Sequence, residues 1–91
     1  MLEKVVKDRV KRVLKKHGVY FFMPVQTGYG APALDFYCCN KGTFFAIETK
    51  APGKKLTPRQ VITKETIEKA GGKVFVIDGD TTELDEWLEQ H

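Results

Sequence analysis

The chain is 91 residues long, enough for one domain with one core and too short for two. An apolar fraction of 42% and a charged fraction of 30% are those of a soluble globular protein. No apolar run approaches the ~20 residues that cross a bilayer, and the charged amphipathic start is unlike a signal peptide, so a cytoplasmic location is expected (host cytoplasm, if phage-encoded).

The net charge of +3 hides a segregation. Residues 78–91 carry Asp78, Asp80, Glu83, Asp85, Glu86 and Glu89 and no Lys or Arg, so residues 1–77 hold 15 basic against 6 acidic side chains, or +9. That excess suits a polyanion; the blander reading is an ordinary solvated lysine-rich surface. The acidic end could also pair with the basic part of its own or a partner chain.

Residues 2–17 read as an amphipathic helix ended by Gly18. Leu2, Val6, Val10, Val13 and Leu14 fall within one arc of about 120°, with Lys4, Lys11, Arg12, Lys15 and Lys16 outside it. Glu3 lies inside the apolar arc, where an acid needs a partner. The alternative is that Glu3 only favours the positive helix N-terminus. His17, in the last turn, is expected to have no chemical role. Val19–Gln26 reads as a first strand, with Pro24 marking an edge or bend and Tyr20, Phe21 and Phe22 expected in the core rather than as a base-stacking platform. Thr27–Ala33 is a loop with Gly28 and Gly30 that fits neither a P-loop nor a Rossmann turn; Tyr29 at its tip is the residue to test for substrate contact.

Leu34–Cys39 and Thr43–Lys50 read as two strands joined at Asn40-Lys41-Gly42. Side chains alternate along a strand, so Glu48 and Lys50 share the face opposite to Ile47 and Thr49. A two-residue loop at Lys41-Gly42 puts Asp35 opposite Glu48, whereas a three-residue loop closed by a Gly42 bulge shifts the register by one. Two carboxylates brought together repel unless a cation lies between them, and hard divalent ions, Mg²⁺ first, prefer such oxygen pairs. Lys50 beside them could stabilise charge developing on a phosphate under attack. Cys38 and Cys39 point opposite ways, which argues against a structural disulfide within the chain, and no histidines lie nearby to make a zinc site.

Ala51–Leu56 is a loop carrying Lys54 and Lys55. Thr57-Pro58 opens a second helix, as N-cap and N1 proline, and Gly71-Gly72 ends it. Ile62, Thr63, Thr66, Ile67 and Ala70 share an arc with Gln60 at its margin, so Gln60 either looks toward the sheet or is an exposed first-turn residue. Lys54, Lys55 and Arg59 are expected to contact phosphates. Lys73–Asp78, nearly continuously apolar, is expected in the middle of a sheet, parallel to strand 43–50. Asp80 is expected to cap a last helix, with Glu83 completing a capping box and Leu84, Trp87 and Leu88 packing it down.

The order Asp35…Glu48-Thr49-Lys50 resembles the PD-(D/E)xK nuclease signature. With Glu3, the run Gly28-Tyr29-Gly30-Ala31-Pro32 and the segment IETKAPGKKLTPRQ ending on Gln60, the chain resembles a virus-type replication-repair nuclease (VRR-NUC) domain of the compact stand-alone phage type, from Glu3 to about Ile77. It departs in having Ala33 and Leu34 between Pro32 and Asp35, where the family commonly places Pro next to the Asp. The resemblance implies an α/β fold with a restriction-endonuclease-like αβββαβα core, a mixed central sheet flanked by helices. It implies a Mg²⁺- or Mn²⁺-dependent endonuclease cutting DNA, with Holliday junctions and other branched forms as substrates and a homodimer presenting two sites. On that pattern Asp35, Glu48 and the Thr49 backbone carbonyl hold the metal, with Glu3 reaching it through water. Lys50 assists the attacking water, and Gln60 completes the site. A flap or single-strand nuclease of the same fold, and a non-catalytic or partner-dependent basic DNA-binding module, are the rival readings.

Overall fold

The computed structural model describes residues 1–25 and 32–91. Its element order is α1 (Glu3–Lys16), β1 (Tyr20–Phe22), β2 (Phe36–Asn40), β3 (Thr43–Thr49), α2 (Pro58–Lys69), β4 (Lys73–Ile77) and α3 (Thr82–Gln90), the expected αβββαβα sequence. The four strands form one mixed sheet in the order β1-β2-β3-β4, antiparallel except for the parallel pair β3 and β4.

The hairpin between β2 and β3 sets the register at the centre of the sheet. Asn40 pairs with Thr43, and the two residues between them, Lys41 and Gly42, have φ of 51° and 82°. Two successive positive φ values make the primed turn whose twist matches the strands, and they explain glycine at the second position. The loop is therefore the two-residue one, and the ladder runs back from there to Phe36 opposite Ile47.

One face of the sheet carries the main core. Val6, Val10 and Leu14 of α1, Phe36, Cys38, Phe45, Ile47, Phe75 and Ile77 of the strands, and Leu84 and Leu88 of α3 form a single buried cluster. Trp87 joins it edge-on to Phe45 and Phe75. α3 is also tied to the end of α1 by Asp85, which accepts from Lys16 Nζ at 3.1 Å and lies 2.6 Å from His17 Nε2. These partners hold the Asp85 carboxyl below its usual range, the His17 and Lys16 bonds contributing most. His17 is thus a clamp between helices, and part of the acidic end pairs within its own chain. The second face is thinner: Leu34, Ala46 and Val74 are buried under Ile67 of α2 and Tyr37. Gly72 permits this approach, since a Cβ there would fall 2.7 Å from Ile67 Cγ2.

Several expectations change. β4 is an edge strand, not a central one; its Val76 is 42% exposed, and it reads as continuously apolar because the parallel crossover buries most of it. β1 stops at Phe22, before Pro24, which cannot donate to a ladder. Of its aromatic run only Phe21 packs against the core, while Tyr20 and Phe22 are exposed on the other face. Leu2 is the exposed N-cap of α1 rather than a core residue. No residue of α2 is buried, and Ile62, Thr66 and Ala70 point outward; the helix turns Gln60, Thr63, Lys64 and Ile67 inward. The N-cap of α3 is Thr81, with Asp80 one residue upstream accepting from the Thr82 N–H at 2.9 Å. Those hydrogen bonds lower the Asp80 carboxyl, and the expected capping box with Glu83 gives way to a 3.9 Å pair of Glu83 with Lys73.

The reassignment of α2 is testable by urea unfolding. Phe45→Ala, which empties a fully buried site, should cost about 3–5 kcal/mol, whereas Ile62→Ala should stay within about 0.5 kcal/mol.

Candidate active site

One residue beyond the last β2–β3 pair, Asp35 comes opposite Glu48, and the two are joined through the backbone: the Asp35 N–H donates to Glu48 Oε1 at 3.1 Å. The Asp35 carboxylate turns along the sheet end, where Oδ2 accepts from the Thr49 N–H at 2.9 Å and the Thr49 hydroxyl at 2.6 Å. It thereby satisfies a strand N–H at the point where β2 leaves the ladder. Thr49 is fully buried, so both donors are shielded from water.

Glu48 is 4% exposed, a buried acid near the end of β3, an inner strand of the sheet. Its Oε2 accepts from Gln60 Nε2 at 2.9 Å and lies 3.7 Å from Lys50 Nζ. Gln60 reaches this position because it is the N3 residue of a capping box. Its Oε1 accepts from the Thr57 N–H at 2.9 Å, and its own N–H donates to the Thr57 hydroxyl at 3.2 Å. One amide therefore caps α2 with its oxygen and binds Glu48 with its nitrogen. The exposed first-turn alternative for Gln60 is excluded.

Burial pushes the Glu48 carboxyl up to about 7; the Asp35 charge raises it further, the Lys50 ammonium and the Asp35 N–H act against this, and Glu3 adds a smaller upward push. A cation between the two carboxyl groups would offset that repulsion. Glu3 sits at the first turn of α1 and pairs with Lys7 at 3.6 Å; Lys7 Nζ is also 3.6 Å from Asp35 Oδ1. The sequence pattern alone does not single out Lys7. The signal that points to it is its place one turn after Glu3 on the same helix face.

The structure thus brings together Glu3, Asp35, Glu48, Thr49, Lys50 and Gln60. Lys54, Lys55 and Arg59 are exposed on the loop and first turn that lead from Lys50 into α2. Tyr29 and the glycine-rich run from Gly28 to Ala31 lie outside the described residues. The oxygen-only donor set from Asp35 and Glu48, on neighbouring strands with ammonium groups at the rim, fits a hard divalent cation such as Mg²⁺ or Mn²⁺. Among the described residues, the one grouping of three potential ligands with atoms within 4.8 Å of one another is His17, Asp85 and Glu89, the clamp between α1 and α3; Glu3, Asp35 and Glu48 are more widely spread. No helix among the described residues is long and apolar enough to cross a membrane.

No family model matches the sequence, and no curated protein matches it. Among solved structures, a chain titled "VRR_NUC domain" superposes with a TM-score of 0.77 over 98% of this chain and 96% of that one, at 23% identity. The two share their fold along essentially their whole length, in agreement with the α/β architecture expected from sequence.

Glu48 makes a pH-dependent contribution whose sign is fixed. Its folded-state value of about 7 stands above the ordinary 4.5, so the protonated acid is accommodated without penalty below pH 4.5, and stability is lost as pH rises through 7. Relative to Glu48→Gln, which does not titrate, the wild type should lose about 1–3 kcal/mol over that interval after allowing for solvent screening. Urea melts of both proteins between acid and mildly alkaline pH measure it; parallel pH profiles would show that Glu48 is not strained.

Proposed function

We propose that the chain is a divalent-metal-dependent DNA endonuclease that hydrolyses phosphodiester bonds. The observation that carries this reading is the placement of Asp35 opposite Glu48 at the end of a hairpin, the Asp35 N–H on one Glu48 oxygen and Lys50 and Gln60 on the other. The shared fold with a domain whose title names it VRR_NUC adds support.

Asp35 and Glu48 would hold Mg²⁺ or Mn²⁺, joined by the Thr49 backbone carbonyl, with Glu3 reaching it through water. When bound, such an ion supplies charge stabilisation to the phosphate and acidifies a water molecule. The chain's own residues do the rest. Thr49 fixes the Asp35 carboxylate with two hydrogen bonds, and Gln60 fixes Glu48 against rotation. Lys50, whose side chain is only 12% exposed, holds a positive charge where the attacking water and the phosphate would meet, orienting the one and offsetting charge on the other. Lys7 occupies the opposite rim, between Glu3 and Asp35, and would yield to a stronger cation or turn to a phosphate oxygen.

The exposed Lys54, Lys55 and Arg59 supply phosphate contacts that carry no base information. The described elements include no recognition helix or zinc module, so selection by DNA shape fits better than selection by sequence. Branched DNA such as Holliday junctions is the proposed substrate, with a homodimer presenting two sites to it.

Glu48→Gln and Lys50→Ala should each lower cleavage of a labelled four-way junction in Mg²⁺ or Mn²⁺ by at least about 100-fold while leaving binding nearly unchanged. A wild type that cuts no branched, flapped or linear DNA with either ion would instead make the chain a binding module. Neutralising Lys54, Lys55 and Arg59 together should weaken binding equally across sequences and reduce the slope of log affinity against log salt by about 1 for each phosphate no longer neutralised. Gel-shift titrations over a salt series measure that slope.

A further inference from the structure

The first turns of α1 reach the acidic site, where Lys7 Nζ is 3.6 Å from both Glu3 Oε2 and Asp35 Oδ1. At 100° per residue, Lys4, Lys7, Lys11 and Lys15 fall within one arc of about 80°, along one edge of the buried stripe of Val6, Val10 and Leu14. The opposite edge carries Arg9 and Lys16, and both are engaged. Arg9 Nη1 donates to the Gly79 carbonyl at 3.1 Å, and Lys16 Nζ donates to Asp85 at 3.1 Å. The acidic end of the chain is therefore tied to that second edge. On the first edge Lys4 is paired with Asp8 at 3.9 Å, while Lys11 and Lys15 have no ion pair among the described residues.

We infer that the row Lys7, Lys11 and Lys15 is a track for one DNA strand, leading its phosphates away from the acidic site along α1. The inference rests on the proposed reading of that site as one that takes a phosphodiester. The row spans eight residues of helix, or about 12 Å, and a duplex strand advances ~3.4 Å per phosphate, so roughly three or four phosphates would lie beside it. Lysines make flexible point contacts without a fixed fork, which suits a backbone whose bases are not read. Lys7 joins the track to the site, because the ammonium resting between two carboxylates is also the first of the row. Charge gives the path a side. Residues 78–91 carry six acidic and no basic residues, and their ties to Arg9 and Lys16 place them where they repel a polyanion toward the lysine edge. A membrane surface fits less well, since the exposed Leu2 and Val5 lie off this edge. α1 and α2 cover opposite faces of the sheet, and the exposed Lys54, Lys55 and Arg59 lead into α2. A strand held by both groups must cross the sheet end, where Asp35 and Glu48 lie.

Gel-shift titrations of a four-way junction in EDTA measure binding without cleavage. Lys11→Gln with Lys15→Gln should weaken it by at least about 10-fold near ~0.1 M salt and reduce the slope of log affinity against log salt by about 2. Lys41→Gln with Lys69→Gln, an equal loss of charge at exposed positions in the hairpin turn and the last turn of α2, should weaken it far less. Acetylation of the unaltered chain by an amine-reactive ester, read by mass spectrometry, should show Lys11 and Lys15 protected by the junction and Lys41 and Lys69 unprotected; this readout decides if the double variant folds poorly. Equal weakening by both pairs, acetylation of Lys11 and Lys15 that the junction leaves unchanged, or a wild type that binds no DNA overturns the track. A wild type that shows both effects but cuts no DNA with Mg²⁺ or Mn²⁺ keeps the track and loses the hydrolytic reading. Normal cleavage with full binding by the Lys11 and Lys15 variant does the reverse.

Discussion

The buried carboxyl of Glu48 is the constraint on which the rest of the structure turns. An acid with 4% of its surface exposed is costly wherever it lies, and here it is met from three directions. The Asp35 N–H comes from the neighbouring strand, the Gln60 amide from α2 and the Lys50 ammonium from two residues along the chain. Each partner belongs to a different part of the fold, so satisfying one side chain fixes the relative placement of hairpin, helix and loop. The dependence is clearest for α2, which buries no side chain completely. Ile67 seats its far end beside Gly72, and Gln60 seats its near end on Glu48. A helix without a strongly apolar face is thus held in register by a polar contact at its first turn.

The position of Asp35 is determined at the opposite end of the hairpin. Because Lys41 and Gly42 form a two-residue turn, every pair from Asn40–Thr43 onward is set, as far as Phe36–Ile47. A slip of one residue would exchange the faces of the whole strand, exposing Phe36 and Cys38 and moving Asp35 away from Glu48. The apolar core therefore protects the acidic site: Phe36, Phe45 and Ile47, all fully buried, make the wrong register expensive.

Much of this was legible in the sequence because it obeys local rules. Alternation along β3 put Glu48 and Lys50 on one side, the Thr57-Pro58 start gave the cap of α2, and the aliphatic spacing gave the buried Val6, Val10 and Leu14. The two turn alternatives could not be separated from sequence alone, since Gly42 suits both, and only the paired positive φ values decide between them. What was not legible depends on where elements sit in the sheet. A run such as Lys73–Ile77 looks the same at the centre as at a parallel edge. Ile62 looks like a core residue until the helix is known to turn Gln60 and Ile67 inward instead. Tyr20 and Phe22 likewise read as core, because nothing in the local pattern says that α2 leaves their half of the face uncovered.

That uncovered half and the acidic site occupy the same side of the sheet, and the strand between them is a ruler. From Phe44 to Glu48 is four residues of β3, or about 13 Å at ~3.3 Å per residue. Glu48 lies on the half that α2 covers, where Gln60 reaches it, and Phe44 on the half that no described helix covers. One strand thus carries a buried polar site at one end and an exposed ring at the other. Side-chain alternation puts both residues on the same face, so what separates their surroundings is where α2 crosses and not the pattern of β3 itself.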